Sequence, residues 1–190
     1  MNLSKRGEYA LRALIKLGIA KELGRELISA SELAETERLP LKFVEQIMFQ
    51  LREAGFIDTK RGKFGGYFLK LPAKEISIGT VIRLIDGKIA PISCASPTCY
   101  ERCSCPDEQH CGLRMMMIDV RNAIANIVDR YTLADVVAVT IRKIERDNMP
   151  MPFQKRETAG SRAALAEADG DPTDLKNPAD PLEGFLAALS

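Results

Sequence analysis

Phe56-Ile57-Asp58-Thr59-Lys60-Arg61-Gly62-Lys63-Phe64-Gly65-Gly66-Tyr67-Phe68-Leu69-Lys70 is the stretch on which the fold turns. Two runs of strand-forming residues flank a basic tip rich in glycine, the pattern of a β-hairpin. What precedes it is helical. Residues 6–23 place Tyr9, Ala10, Ala13, Leu14, Leu17 and Ala20 on one stripe, and Gly24 supplies a stop. Ser29 can cap a short second helix, with Glu32 three residues later expected to complete a capping box. After a turn around Arg38-Leu39-Pro40, a third helix buries Val44, Ile47, Met48 and Leu51 and ends at Ala54-Gly55. Three helices followed by a basic hairpin give the element order of a winged helix-turn-helix.

Downstream of the hairpin, a fourth helix is expected from Ser77 to Asp86, with Gly87 ending it. Residues 88–110 read as an irregular loop holding Pro91, Pro97 and Pro106. A long helical pattern then runs from Cys111 to Tyr131, and Thr132 caps another that carries Val136, Val137, Val139 and Ile144. The fold class is therefore mainly α with a small β-hairpin wing. Residues 1–75 read as the DNA-binding domain, 76–147 as a cysteine loop with long helices, to which the family resemblance given below assigns dimerisation, and 148–190 as a disordered tail. Five of the ten prolines fall in that tail.

Charge follows the same division. The net charge is only +1, but residues 1–75 hold fourteen Lys or Arg against ten acids, whereas 148–190 hold four against seven. A basic front and an acidic tail suit a nucleic-acid module with a solvated extension. No apolar run approaches the roughly 20 residues that span a bilayer. The N-terminus has no secretory h-region, so a cytoplasmic protein is expected. Nothing in the chain forms a Ser/His/Asp constellation, a phosphate loop or a dinucleotide fingerprint, and an enzyme is not expected.

Within the third helix, Lys42, Glu45, Gln46 and Phe49 lie on or near the side opposite its apolar residues. A carboxylate such as Glu45 can accept from the cytosine amino group, and Gln46 can bond adenine at two atoms. Lys42 reaches either a base or a phosphate. In the hairpin, Lys60, Arg61 and Lys63 surround glycines expected to let the backbone approach DNA closely, with an Arg placed to enter the minor groove.

All five cysteines fall within eighteen residues, at 94, 99, 103, 105 and 111. A clustered, odd-numbered set in a cytoplasmic chain points to metal or redox chemistry rather than a disulfide framework. Thiolates are the soft ligands that select iron–sulfur clusters, zinc or copper(I). Pro106 biases Cys105 toward an extended conformation, in which Cys103 and Cys105 face one side. Cys111 sits near a helix start, where the dipole favours an anionic ligand. Met115, Met116 and Met117 read as adaptable packing in a dimer core.

Several segments resemble the Rrf2 family of bacterial transcription regulators: Tyr9-Ala10-Leu11-Arg12-Ala13-Leu14, Phe43-Val44-Glu45-Gln46-Ile47, Leu51-Arg52-Glu53-Ala54-Gly55-Phe56-Ile57 and Arg61-Gly62-Lys63-Phe64-Gly65-Gly66-Tyr67-Phe68-Leu69. The resemblance covers residues 1–147. It implies DNA contact at Glu45, Gln46 and Arg61, a palindromic double-stranded operator, and a homodimer paired through the long helix after Cys111. It also implies a [2Fe–2S] or [4Fe–4S] cluster in the cysteine loop. Many members carry three cysteines there, with five residues between the last two, a spacing that Cys105 and Cys111 meet. The first ligand is Cys94 or Cys99, and Cys103 is a further candidate. By the same resemblance Glu8 is a candidate fourth ligand to the partner subunit's cluster. Other members use a His where this chain has Arg114, and the chain's one histidine, His110, precedes Cys111 instead. Two alternatives to cluster control stand beside it: a thiol-redox or zinc-stabilised regulator, and a redox enzyme or electron carrier.

Overall fold

The computed structural model describes residues 3–62 and 64–153. Element order is α1 (Lys5–Glu22), α2 (Ala30–Glu37), α3 (Leu41–Glu53), β1 (Ile57–Lys60), β2 (Gly66–Leu69), α4 (Ile78–Asp86), α5 (Gly112–Arg130) and α6 (Leu133–Arg146), with short 3-10 turns at Ala73–Glu75 and Ser93–Ala95. The mainly helical architecture with a two-stranded wing is thus the one the hydrophobic periodicity predicts. Among the described residues, no helix is long and apolar enough to cross a membrane.

Local chemistry fixes the helix starts. The Ser4 hydroxyl accepts from the Gly7 amide and begins α1, and the Thr132 hydroxyl accepts from Asp135 while Asp135 accepts from the Thr132 amide, a complete capping box at α6. The box expected at α2 forms only in half. Ser29 does accept from the Glu32 amide, but the Glu32 carboxylate turns to Arg25, taking two N–H bonds of 2.6 and 2.9 Å. A bidentate guanidinium outcompetes a single backbone amide for that carboxylate. Between α2 and α3, Arg38 takes a left-handed conformation at φ 54°, and the Leu39 amide closes the turn on Ala34 at 2.9 Å.

One core serves the whole described chain. Leu14, Leu33, Ile47, Met48, Leu51, Ile57, Ile76, Val81 and Leu133 are all buried in it, so it runs without a break across residue 75. α1 is the axis of this packing, meeting α2, α3, α4 and α6. Of the expected tail, residues 148–153 are described and 154–190 lie outside the described residues. Phe153 is buried in the core with the Arg25 guanidinium 5.3 Å from its ring, so packing extends past α6.

The wing pairs Ile57 with Leu69 and Lys60 with Gly66 in antiparallel register. Ile28 adds a third-strand bridge, exchanging bonds of 3.1 and 2.8 Å with Tyr67. A Cβ on Gly66 would sit 2.7 Å from the Ile28 carbonyl oxygen, and one on Gly65 would run into the carbonyl oxygen of Lys60. These two glycines are required by the protein's own backbone, whereas Gly62, at φ 121°, faces open space.

Candidate functional site

The outer side of α3 is polar and open. Val44, Ile47, Met48 and Leu51 are buried, whereas Lys42, Glu45, Gln46 and Phe49 are exposed. Phe43 anchors the helix to α1 by an edge-to-face contact with Tyr9, with ring centroids 5.6 Å apart. Gln50 Nε2 donates to the Leu84 carbonyl at 3.4 Å, which ties α3 to α4. Arg6 of α1 joins Lys42, Glu45, Gln46 and Phe49 around an open groove of about 470 Å³. The wing stands beside this face. Burial raises the Tyr67 hydroxyl above its ordinary pKa, and the nearby negative charge of Glu45 raises it further. Lys60 and Arg61 are exposed at the wing, while Lys63 lies outside the described residues. The groove on α3 is lined by the cations Arg6 and Lys42 together with the Glu45 carboxylate.

The cysteine loop is fastened to α5 by two arginines. Arg114 Nε donates to the Cys94 carbonyl at 3.0 Å, and Arg121 donates to the Ala95 carbonyl at 2.8 Å. Two turns apart on α5, they share one face and grip consecutive carbonyls of the 3-10 turn. Arg114 also meets the Glu108 carboxylate at 3.1 Å, which accepts as well from the Tyr100 hydroxyl at 3.0 and 2.9 Å. Cys111 is the N-cap of α5, its Sγ accepting from the Arg114 amide at 3.4 Å.

The cysteines cluster in the loop. All are free, and their side chains are near neighbours in sequence: Cys103 acts on Cys94, and Cys103 and Cys111 act on Cys105. Burial, then the neighbouring Cys103 thiol and the Glu108 charge, push the Cys94 thiol up. Cys105 is pushed up to about 11, first by its bond to Cys103 and that neighbour's charge, with Cys111 adding to it. Thiols crowded in this way hold their protons, and a bound cation reverses that balance. The four cysteines fit a thiolate-selecting group in donor chemistry. Their contacts are pairwise, and among the described residues no three His, Cys, Asp or Glu side chains form a ready metal shell.

The remaining candidates stand apart from these four. Cys99 is exposed, and its amide donates to the Ser96 hydroxyl at 3.0 Å. His110 is held by Asp107 at 2.7 Å with its side chain largely in solvent. Glu8 pairs with Lys5 at 2.8 Å and Arg12 at 3.5 Å, and the Lys5 bond holds its carboxyl below the usual range. Sequence reasoning missed the Tyr100–Glu108–Arg114 group. Tyr100 and Glu108 lie 8 residues apart in a loop without periodicity, and Arg114 follows 6 residues later in the first turn of α5.

Comparison with known proteins agrees with this geometry. Residues 3–139 match the Rrf2 family, described as iron-dependent transcriptional regulators. An rrf2-like HTH-type transcriptional regulator of Rhodobacter capsulatus is 34% identical over 138 residues, which are 72% of this chain and 92% of the relative. Among solved structures, the oxidized form of CymR from Staphylococcus aureus is similar at 32% identity and a TM-score of 0.57, covering 72% of this chain and 96% of that one. CymR of B. subtilis, the global cysteine regulator, gives 29% identity and a TM-score of 0.59 over 73% of this chain and 98% of its own. With its wing, its helix-turn-helix order and a match running from residue 3 to residue 139, this chain belongs to the Rrf2 family of transcriptional regulators.

Proposed function

We propose that this regulator binds a palindromic double-stranded DNA operator as a cytoplasmic homodimer, and that an iron–sulfur cluster on its cysteine loop sets that binding. Cys94, Cys103, Cys105 and Cys111 hold the cluster in this reading, and Cys99 does not. The observation that carries it is the cysteine loop held at the start of α5, where Arg114 touches both the Cys94 carbonyl and Cys111 Sγ, with Cys103 and Cys105 between them in the chain. The family's description as iron-dependent supports the choice of metal. When bound, the cluster supplies a redox- and ligand-sensitive group whose loss frees four thiols.

The chain's own residues do the rest. Lys42, Glu45 and Gln46 face the major groove, with Lys60, Arg61 and Lys63 toward the backbone and minor groove. Arg114 and Arg121 fasten the loop to α5, whose Leu113, Met115, Met116, Val120 and Ile127 are exposed in the single chain. A helix with no buried residue of its own and that apolar content suits a partner helix. Residues 1–75 then read DNA and 76–147 sense and dimerise.

Anaerobic purification tests the reading. Visible absorption with matching iron and acid-labile sulfide, as [2Fe–2S] or [4Fe–4S], supports it, and stoichiometric zinc without sulfide overturns it. A second reading, a thiol switch without a cluster, draws on the same cysteines and on the solved oxidized form of CymR. It expects reversible disulfide formation in metal-free protein to change operator affinity.

A further inference from the structure

Phe49 is 56% exposed, one helical turn beyond Glu45 and Gln46 on a face otherwise made of polar side chains. Lys42, Glu45, Gln46 and Phe49 occupy positions i, i+3, i+4 and i+7, so all four point the same way. Scattered surface aromatics are ordinary and by themselves mean nothing. Phe49 differs in its setting. It lines the groove bounded by Arg6 and Lys42, and the Arg52 guanidinium lies 5.4 Å from its ring centroid. That cation over the ring restricts its rotamers and leaves it presented rather than folded back. An exposed ring with Arg6, Lys42 and Arg52 around it, beside the polar Glu45 and Gln46, matches a partner that is anionic at its edges and apolar at one point within.

The major groove of DNA has that description. Phosphates line both edges, and its one apolar group is the C5-methyl of thymine. We propose that Phe49 is a specificity-determining residue that packs on a thymine methyl next to the bases facing Glu45 and Gln46. The proposal rests on the operator-binding reading above and adds a base identity to it. Arg6, which lines the same groove, takes a phosphate in this arrangement.

The test uses the full-length protein and a pool of random duplexes. Bound duplexes are enriched, and each thymine of the enriched site is replaced by deoxyuridine, which deletes the methyl and nothing else. At one thymine in each half-site the wild-type protein should bind about fourfold more weakly per methyl removed, the effect of uncovering one buried carbon. Phe49→Ala should melt at the wild-type temperature, because the ring is exposed, and should be indifferent to the same replacement. Phe49→Leu should keep part of the methyl dependence. The salt dependence of Phe49→Ala should match wild type, since no phosphate contact is lost. Indifference of the wild type to every methyl overturns the proposal, as does methyl dependence retained in Phe49→Ala. An enriched site with no thymine at equivalent places in its half-sites overturns it too. A pool that yields no enriched duplex strikes the operator reading itself and takes this role of Phe49 with it.

Discussion

Arg114 Nε reaches the carbonyl oxygen of Cys94 at 3.0 Å, across twenty residues of chain, while the amide of the same residue donates to Cys111 Sγ at 3.4 Å. One residue at the start of α5 therefore touches the first and last of the four cysteines. The sequence places an arginine where other members of the family use a ligating His. A guanidinium cannot deprotonate to bind a metal, and here it acts as a fastener. Any rearrangement of the loop at Cys94 then bears directly on the first turn of the long helix.

Arg114→Ala should loosen this fastening without removing a thiol. It deletes bonds to the Cys94 carbonyl and to Glu108, and a net loss of about 1 kcal/mol in chemical denaturation is expected. Arg114→Lys keeps the charge but not the planar fork, so it should recover only part of that loss. If the proposed cluster is present, both variants should lose it faster in air than wild type, read as bleaching of visible absorption. Wild-type stability together with wild-type bleaching rates would show the contact to be idle.

At the wing, Arg61→Ala should weaken binding to all duplexes alike and reduce the slope of log affinity against log salt by about one. The residue is exposed and touches no core, so the melting temperature should hold. Glu45→Ala should behave differently. A carboxylate repels phosphate but selects cytosine, so its removal should change the ranking of duplexes rather than lower all affinities. A uniform loss for Glu45→Ala would falsify its reading role.

Much of this was legible in the sequence because it is local or periodic. The buried side of α3 follows from a 3.6-residue stripe, and the caps at Ser29 and Thr132 from hydroxyls at helix starts. What escaped depends on distant partners. Glu32 had the right spacing for a capping box, yet Arg25 claims its carboxylate. Gly65 and Gly66 are required by the carbonyls of Lys60 and Ile28, which fill the space beside them. Spacing alone left Cys94 and Cys99 as competing first ligands. The fold seats residues 93–95 on α5 with Cys94 buried and Cys99 exposed, a difference that no periodicity in the loop announces.

The complete capping box at α6 makes a pH-dependent prediction. The Asp135 carboxylate accepts from the Thr132 hydroxyl first and its amide second, and both hold its pKa below the ordinary value. A carboxyl depressed on folding contributes stability above its unfolded pKa, near 4, and loses that contribution as pH falls through the folded value. Thr132→Ala should cost about 1 kcal/mol at neutral pH, as N-cap losses do, and less in acid. Denaturation of wild type and variant at pH 7 and pH 3 checks this. Equal differences at both would show that Asp135 takes no part.

The cysteines give the prediction that separates the readings most sharply. Cys105 feels both Cys103 and Cys111 as neighbours, and Cys111 stands at the helix start. Cys99 has an exposed side chain and is not among those neighbours. Anaerobic Cys105→Ala and Cys111→Ala should therefore lose visible iron–sulfur absorption while remaining folded, since neither thiol lies in the hydrophobic core. Cys99→Ala should keep the absorption and the iron and sulfide content of wild type. Cys94→Ala is the most demanding case, because its side chain is buried and its carbonyl is held by Arg114. Cys94→Ser preserves the backbone contact and much of the volume, so it should stay folded and still lose the cluster. If Cys99→Ala bleaches and Cys94→Ser does not, the first ligand is Cys99, and the loop must rearrange to bring that exposed thiol to the others.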